Sequence, residues 1–172
     1  MNVVLIGMRG SGKTTTGNIL AQKLNRYLVE TDELITKRAG LSIPDIVEKH
    51  GWANFRDIEE QIIAEVSGGD NVVLSAGGGV ITRDRNTAGL KKNGVLVWLT
   101  AGSNTLLERI GQDAGRPPLV NGRTPREDME ITLSERRVLY EQAADIVVDT
   151  ENKTPEDVAR EIIDRLPHEE NK

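Results

Sequence analysis

Gly7-Met8-Arg9-Gly10-Ser11-Gly12-Lys13-Thr14 fills every fixed position of the pattern G-x-x-x-x-G-K-[ST] and follows directly on the apolar run Val3-Val4-Leu5-Ile6. The β-branched run reads as a buried strand and the stretch from Thr14 to Leu24 as a helix. The loop is therefore expected where the carboxyl end of a strand meets a helix N-terminus, which confines the chain to an α/β sheet with an anion site at its first crossover. Backbone N–H groups in such a loop cradle phosphates, the Lys13 ammonium reaches the outer ones, and the Thr14 hydroxyl ligates Mg²⁺. The pattern predicts binding of a nucleoside triphosphate and does not yet name a reaction.

Further strand-like runs recur at 27–29, 72–74, 95–99 and 146–148. Helical periodicity is expected over 14–24, 32–39, 44–50, 54–66, 84–92, 105–110, 126–143 and 155–166. Five strands alternating with helices predict a parallel sheet covered on both faces, a three-layer arrangement. At 172 residues the chain has room for one domain of ordinary size, 1–172. The stretch 111–125 lacks periodicity and crowds Gly115, Arg116, Pro117, Pro118, Gly122, Arg123 and Pro125, which suggests a lid. Residues 167–172 read as a polar, frayed tail. A net charge of −5 argues against a nucleic-acid-binding surface, and the absence of cysteine excludes disulfides and thiolate metal sites. Apolar runs stay far below the ~20 residues that span a bilayer, and the first strand begins too early for a signal peptide. The expectation is a soluble, cytoplasmic protein that engages no membrane.

Three groups beyond the loop carry chemistry. Glu30-Thr31-Asp32 ends the second strand with two carboxylates that would share a side in extended chain, where one could serve a metal and the other an acceptor hydroxyl. Helix capping by Thr31 or Asp32 explains the segment equally well. Gly77-Gly78-Gly79 follows the third strand and reads either as a turn against which a substrate lies closely or as a flexible connection. Arg56 with Glu59, and Arg136 and Arg137 on a later helix, read first as surface ion pairs. An arginine aimed into a cleft would instead grip a carboxylate by a bidentate fork, with Glu59 orienting Arg56. Arg116 stands apart as a lid residue able to meet a transferring phosphate. His50 and His168 have no partners at metal-ligand spacing.

Taken in order, these pieces resemble the shikimate kinase family of small P-loop kinases over nearly the whole chain, Met1 to about Leu166. The likeness rests on the phosphate loop, Glu30-Thr31-Asp32 followed by Lys37-Arg38-Ala39-Gly40, Phe55-Arg56-x-x-Glu59, Gly77-Gly78-Gly79, Arg116-Pro117, and Arg136-x-x-Leu139-Tyr140. It implies a P-loop NTPase sandwich with a five-stranded parallel sheet, nucleoside-monophosphate-kinase-like, with substrate-binding helices at about 32–66 and a lid. It also implies transfer of the γ-phosphate of ATP to the 3-hydroxyl of shikimate in aromatic amino-acid biosynthesis, by a monomer using Mg²⁺. On the family pattern Gly10, Ser11, Gly12, Lys13, Thr14 and Thr15 hold the ATP phosphates, while Arg109 and the stretch ending at Pro155 sandwich adenine. Lys13 and Arg116 stabilise phosphoryl charge. Arg56 and Arg136 grip the substrate carboxylate, Asp32 binds ring hydroxyls and helps activate the acceptor, and Gly77, Gly78 and Gly79 lie against the ring. Thr14 binds Mg²⁺. The family usually has Asp-x-Asp where this chain has Glu30-Thr31-Asp32, so Glu30 is a metal ligand one methylene longer than the pattern. Two rival readings are another small-metabolite or nucleoside monophosphate kinase on the same fold, and an ATP-binding module without turnover.

Overall fold

The computed structural model describes residues 1–111, 119 and 122–167. Strands β1 (Asn2–Ile6), β2 (Tyr27–Glu30), β3 (Val72–Ser75), β4 (Gly94–Thr100) and β5 (Ile146–Asp149) form one sheet in the order β2-β3-β1-β4-β5, parallel throughout. Each lies where an apolar run predicted it. Helices α1 (Lys13–Leu24), α2 (Thr31–Ala39), α3 (Ile43–Val66), α4 (Asp84–Lys91), α5 (Ser103–Ile110), α6 (Pro125–Ala143) and α7 (Pro155–Arg165) connect and cover the strands.

Alternation along β1 decides which helices lie on which face. Val3 and Leu5 pack with Leu20 and Ala21 of α1 and with Val158, Ala159 and Ile162 of α7. Val4 and Ile6 point the other way, to a cluster holding Ile63 of α3, Leu90 of α4 and Tyr140 of α6, whose ring stacks on Trp98 at 5.4 Å. Each of the four β1 side chains from Val3 to Ile6 is 0% exposed, and such burial contributes about 1.5–3 kcal/mol apiece. Because β1 is central, paired to β3 on one side and β4 on the other, the loop that follows it emerges in the middle of the sheet's carboxyl edge. Ligands of open α/β sheets bind at that edge.

Three local features differ from expectation. The helices expected at 44–50 and 54–66 are one continuous run, α3, broken only at Gly51, whose φ of 79° is left-handed. Glycine takes that conformation without strain, so two segments meet at a kink without an intervening loop. A 3₁₀ turn, Val80–Thr82, follows the glycine turn and had no periodic signal, being three residues long. Helix α5 begins at Ser103, ahead of the expected 105. A separate apolar cluster of Ile35, Ile43, Ile46, Phe55 and Ile62 joins α2 to α3. Among the described residues no helix is long and apolar enough to cross a membrane. Arg116, His168, most of the expected lid and nearly all of the expected tail lie outside the described residues.

Candidate active site

The phosphate loop joins β1 to α1. Gly10 and Gly12 have φ of 82° and 90°, the left-handed region that side chains disfavour. Gly10 is also constrained by space, since a Cβ there would fall 2.7 Å from the Leu106 carbonyl oxygen of α5. Helices α3, α6 and α7 are capped by Ser42, Thr124 and Thr154 side chains. Helix α1 has no side-chain cap and no acidic residue in its first turn, so its N–H groups and positive dipole end face the loop. Lys13 Nζ donates to the carbonyls of Gly7 and Met8 at 2.8 and 2.9 Å, which holds the ammonium across the loop. Ser11 is buried, and its Oγ has no hydrogen-bond partner among the described residues.

A cleft of about 500 Å³ opens above this loop, lined by Gly10, Gly12, Lys13, Thr14, Thr15, Glu30, Asp32, Gly77, Gly78 and Arg109 together with Arg9, Ser75, Ala76 and Ile110. Glu30 and Asp32 thus reach one site, but not through extended chain: β2 ends at Glu30 and α2 begins at Thr31. The capping alternative also falls, because α2 has Glu30 at its N-cap and no side-chain cap bond. Thr14 Oγ1 donates to Glu30 Oε2 at 3.0 Å, which sets two hard oxygen donors side by side at the loop. Mg²⁺ takes one or two protein oxygens and completes its shell with phosphates and water, so this donor set fits it.

Thr31, to which the sequence reading gave only a capping role, turns inward and is fully buried. Its Oγ1 accepts from the Gly77 N–H at 3.1 Å and lies 3.4 Å from the Ser75 carbonyl oxygen, pinning the start of the glycine turn to the β2–α2 junction. Thr31→Val, nearly isosteric, leaves the Gly77 N–H buried without that acceptor and is expected to cost about 1–3 kcal/mol, which Thr31→Ser restores. Urea unfolding of both variants checks this, and a valine variant as stable as the parent would refute the pin.

The glycine turn is a place of close approach. A Cβ on Gly77 would lie 2.8 Å from Glu59 Oε1 and 3.0 Å from Asp32 Oδ1. A Cβ on Gly79 would lie 2.0 Å from Arg56 Nη2. Here the sequence reading of Arg56 and Glu59 as a surface pair is corrected. Arg56 Nη1 donates to Glu59 Oε2 at 2.6 Å, with the side chains 15% and 0% exposed. The kinked α3 carries this ridge inward, and the guanidinium sits 5.0 Å from the Phe55 ring centroid and 5.6 Å from that of Trp52. Glu59 Oε1 has no hydrogen-bond partner among the described residues. Burial raises the Glu59 pKa, outweighing the attraction of Arg56.

Arg136 is half-buried and joins the same group. Burial pulls its pKa down, against the opposing influence of the nearby Tyr140 hydroxyl. That hydroxyl donates to the Gly78 carbonyl, and burial pushes its pKa up to about 12. Arg137 behaves as the sequence suggests, pairing with Glu141 at 3.1 Å on the exposed side of α6. Arg56, Arg136 and Gly79 do not line the cleft itself and gather one step further along the turn. On the opposite side Arg109 donates to the Thr150 hydroxyl and carbonyl at 2.8 and 2.9 Å, tying α5 to the loop that runs on to Pro155 at the start of α7.

The arrangement offers an anion cradle, a metal-compatible oxygen pair, a carboxylate and two cations around a tight turn, the parts that phosphoryl transfer to a small anionic acceptor requires. Comparison with known proteins identifies the family. The shikimate kinase family model (SKI) matches residues 9–167. The shikimate kinase of Thermodesulfovibrio yellowstonii is 44% identical over 162 residues, spanning 94% of this chain and 92% of its own. Shikimate kinase from Acinetobacter baumannii, solved in complex with shikimate, superposes with a TM-score of 0.90 at 34% identity, covering 94% of this chain and 90% of its own. The Aquifex aeolicus shikimate kinase superposes at 0.81 with 37% identity, covering 95% and 94%.

Proposed function

The chain belongs to the shikimate kinase family, and from that premise we propose that it transfers the γ-phosphate of ATP to the 3-hydroxyl of shikimate, giving ADP and shikimate 3-phosphate. The observation that carries the reading is the gathering of Arg56, Glu59 and Asp32 about Gly77 and Gly79, with Arg136 beside them, next to a phosphate loop. Two guanidinium groups suit a ring carboxylate, and a neighbouring carboxylate suits ring hydroxyls. A nucleoside monophosphate acceptor would need a base pocket at that position instead.

In this reading the backbone of Gly10 to Thr15 and the Lys13 ammonium hold the triphosphate. Lys13 exchanges its bonds to the Gly7 and Met8 carbonyls for phosphate oxygens, a short movement for a flexible stem. Thr14 and Glu30 would hold Mg²⁺, which when bound neutralises charge on the phosphates. Arg56 and Arg136 orient shikimate by its carboxylate. Asp32 accepts the proton of the 3-hydroxyl as that oxygen attacks phosphorus and the bond to the ADP oxygen breaks. Arg116 adds positive charge at the transferring group, and Arg109 with Pro155 flanks adenine. The chain works as one catalytic domain, a cytoplasmic monomer acting on ATP and shikimate.

ADP release coupled to a colorimetric reaction tests this directly. ATP consumption is expected with shikimate, and only background with gluconate or nucleoside monophosphates. Turnover of either control with none on shikimate would overturn the acceptor assignment. ATP binding without any phosphorylated product would favour a module that has lost catalysis.

A further inference from the structure

Arg83 lies outside the cleft, yet it ties the glycine turn to the helix that carries Arg56. Its Nη2 donates to Asp57 Oδ1 and its Nη1 to Glu60 Oε2, both at 2.7 Å. Asp57 and Glu60 each stand one residue after Arg56 and Glu59, so the two sets of ion pairs run side by side on one turn of α3. The other end of the bridge is firm. Gly79 and Arg83 flank the 3₁₀ turn, Val80 and Ile81 in it are buried, and Asn86 Nδ2 donates to the Val80 carbonyl at 3.1 Å. Arg85, at 3.5 Å from Glu60 Oε1, supports the same acid from the exposed side.

Helix α3 needs such a tie. Arg56 lies between the kink at Gly51 and the first α3 residue packed on the sheet, Ile63, a stretch that joins α2 through its own apolar cluster. The tolerance at the turn is small, because the guanidinium rests where a Gly79 side chain would begin. We infer that Arg83 is a positioning residue: its fork on Asp57 and Glu60 fixes the rotation of α3 over the glycine turn and so sets the place of Arg56, making acceptor affinity depend on a residue outside the site. The Arg83 charge also reaches Glu59, where it opposes the effect of burial. The inference rests on the reading of Arg56 as a carboxylate ligand.

Steady-state kinetics of the full chain with ATP and shikimate test it, using Arg83→Gln, Arg83→Lys, the double variant Asp57→Asn/Glu60→Gln, and the triple variant combining it with Arg83→Gln. Arg83→Gln is expected to raise KM for shikimate roughly three- to tenfold, with kcat and KM for ATP changed less than about twofold. Lysine should fall between, since an ammonium lacks the fork that spans two acids. The acid double variant should match Arg83→Gln, and the triple should be no worse than either. Melting temperatures should stay within a few degrees, as partly exposed ion pairs stabilise little. An unchanged KM for shikimate, equal rises for both substrates, multiplying effects in the triple, or a fall in melting temperature that tracks the loss would each overturn the role. A parent protein inactive on shikimate would overturn the acceptor assignment first, and this inference with it.

Discussion

Gly79→Ala is expected to remove most shikimate affinity while leaving ATP binding intact. Gly79 has φ of −101° and ψ of 4°, which alanine can adopt, so its backbone gives no reason for glycine. Space does. A Cβ would stand 2.0 Å from Arg56 Nη2, 2.3 Å from Cζ and 2.5 Å from Nη1. An arginine tip can yield, so the fold survives and the guanidinium retreats by about 1.5 Å to an ordinary contact distance. Withdrawing one partner of a buried, hydrogen-bonded charge pair costs about 2–5 kcal/mol of binding, and we expect shikimate affinity to fall by about thirtyfold or more. The retreat also strains the 2.6 Å pair with Glu59, whose carboxylate is fully buried, so a stability loss should accompany it. Glu59→Gln in the same background should recover stability without recovering affinity, because the glutamine tolerates burial but does not restore the space. Titration calorimetry with shikimate and with ATP, alongside thermal melts, separates the two effects. Shikimate affinity within threefold of the parent would show that the guanidinium over Gly79 is not the carboxylate ligand.

Asp32→Asn is expected to act on turnover instead of on binding. Asp32 lines the cleft beside Lys13 and Thr14 and abuts Gly77, where the acceptor ring is proposed to lie. Asparagine keeps the shape and hydrogen-bonding reach but cannot take a proton, so kcat should fall about 10²- to 10⁴-fold. KM for ATP should move less than about twofold, since uniform binding is preserved. Single-turnover measurement at saturating shikimate checks that the chemical step, and not product release, carries the loss. A kcat within about threefold of the parent would take Asp32 out of proton transfer and leave it as a hydroxyl ligand.

The local grammar of this site was legible because it is written in short-range patterns. The phosphate loop announces itself by glycines at fixed spacing, and the strand before it by an unbroken apolar run that only a sheet covered on both faces can bury. The start of α7 at Pro155 was legible in the same way, since proline suits a helix's first turn. Arg56 and Arg136 were not. An arginine three residues before a glutamate looks alike on an exposed helix and on one turned inward, and period alone cannot choose. Arg137, one residue from Arg136 on the same helix, is an ordinary surface pair with Glu141. The resemblance to a family, not the residues themselves, separated them in sequence.

What the chain determines by itself is the junction of β1 and α1, strands apolar enough to need cover on both faces of the sheet, and the kind of ligand that a glycine-rich loop at a helix N-terminus attracts. These depend on neighbours in sequence, where spacing is already geometry. Tertiary structure alone decided that Thr31 pins the Gly77 N–H instead of capping α2, that Gly79 is a space for a guanidinium, and that Arg83 bridges two acids of α3. Each joins residues more than twenty positions apart, brought together by strand order and by a kink at Gly51. Contacts of that range follow from how whole elements pack, and packing is a property of the assembled core that no local period carries.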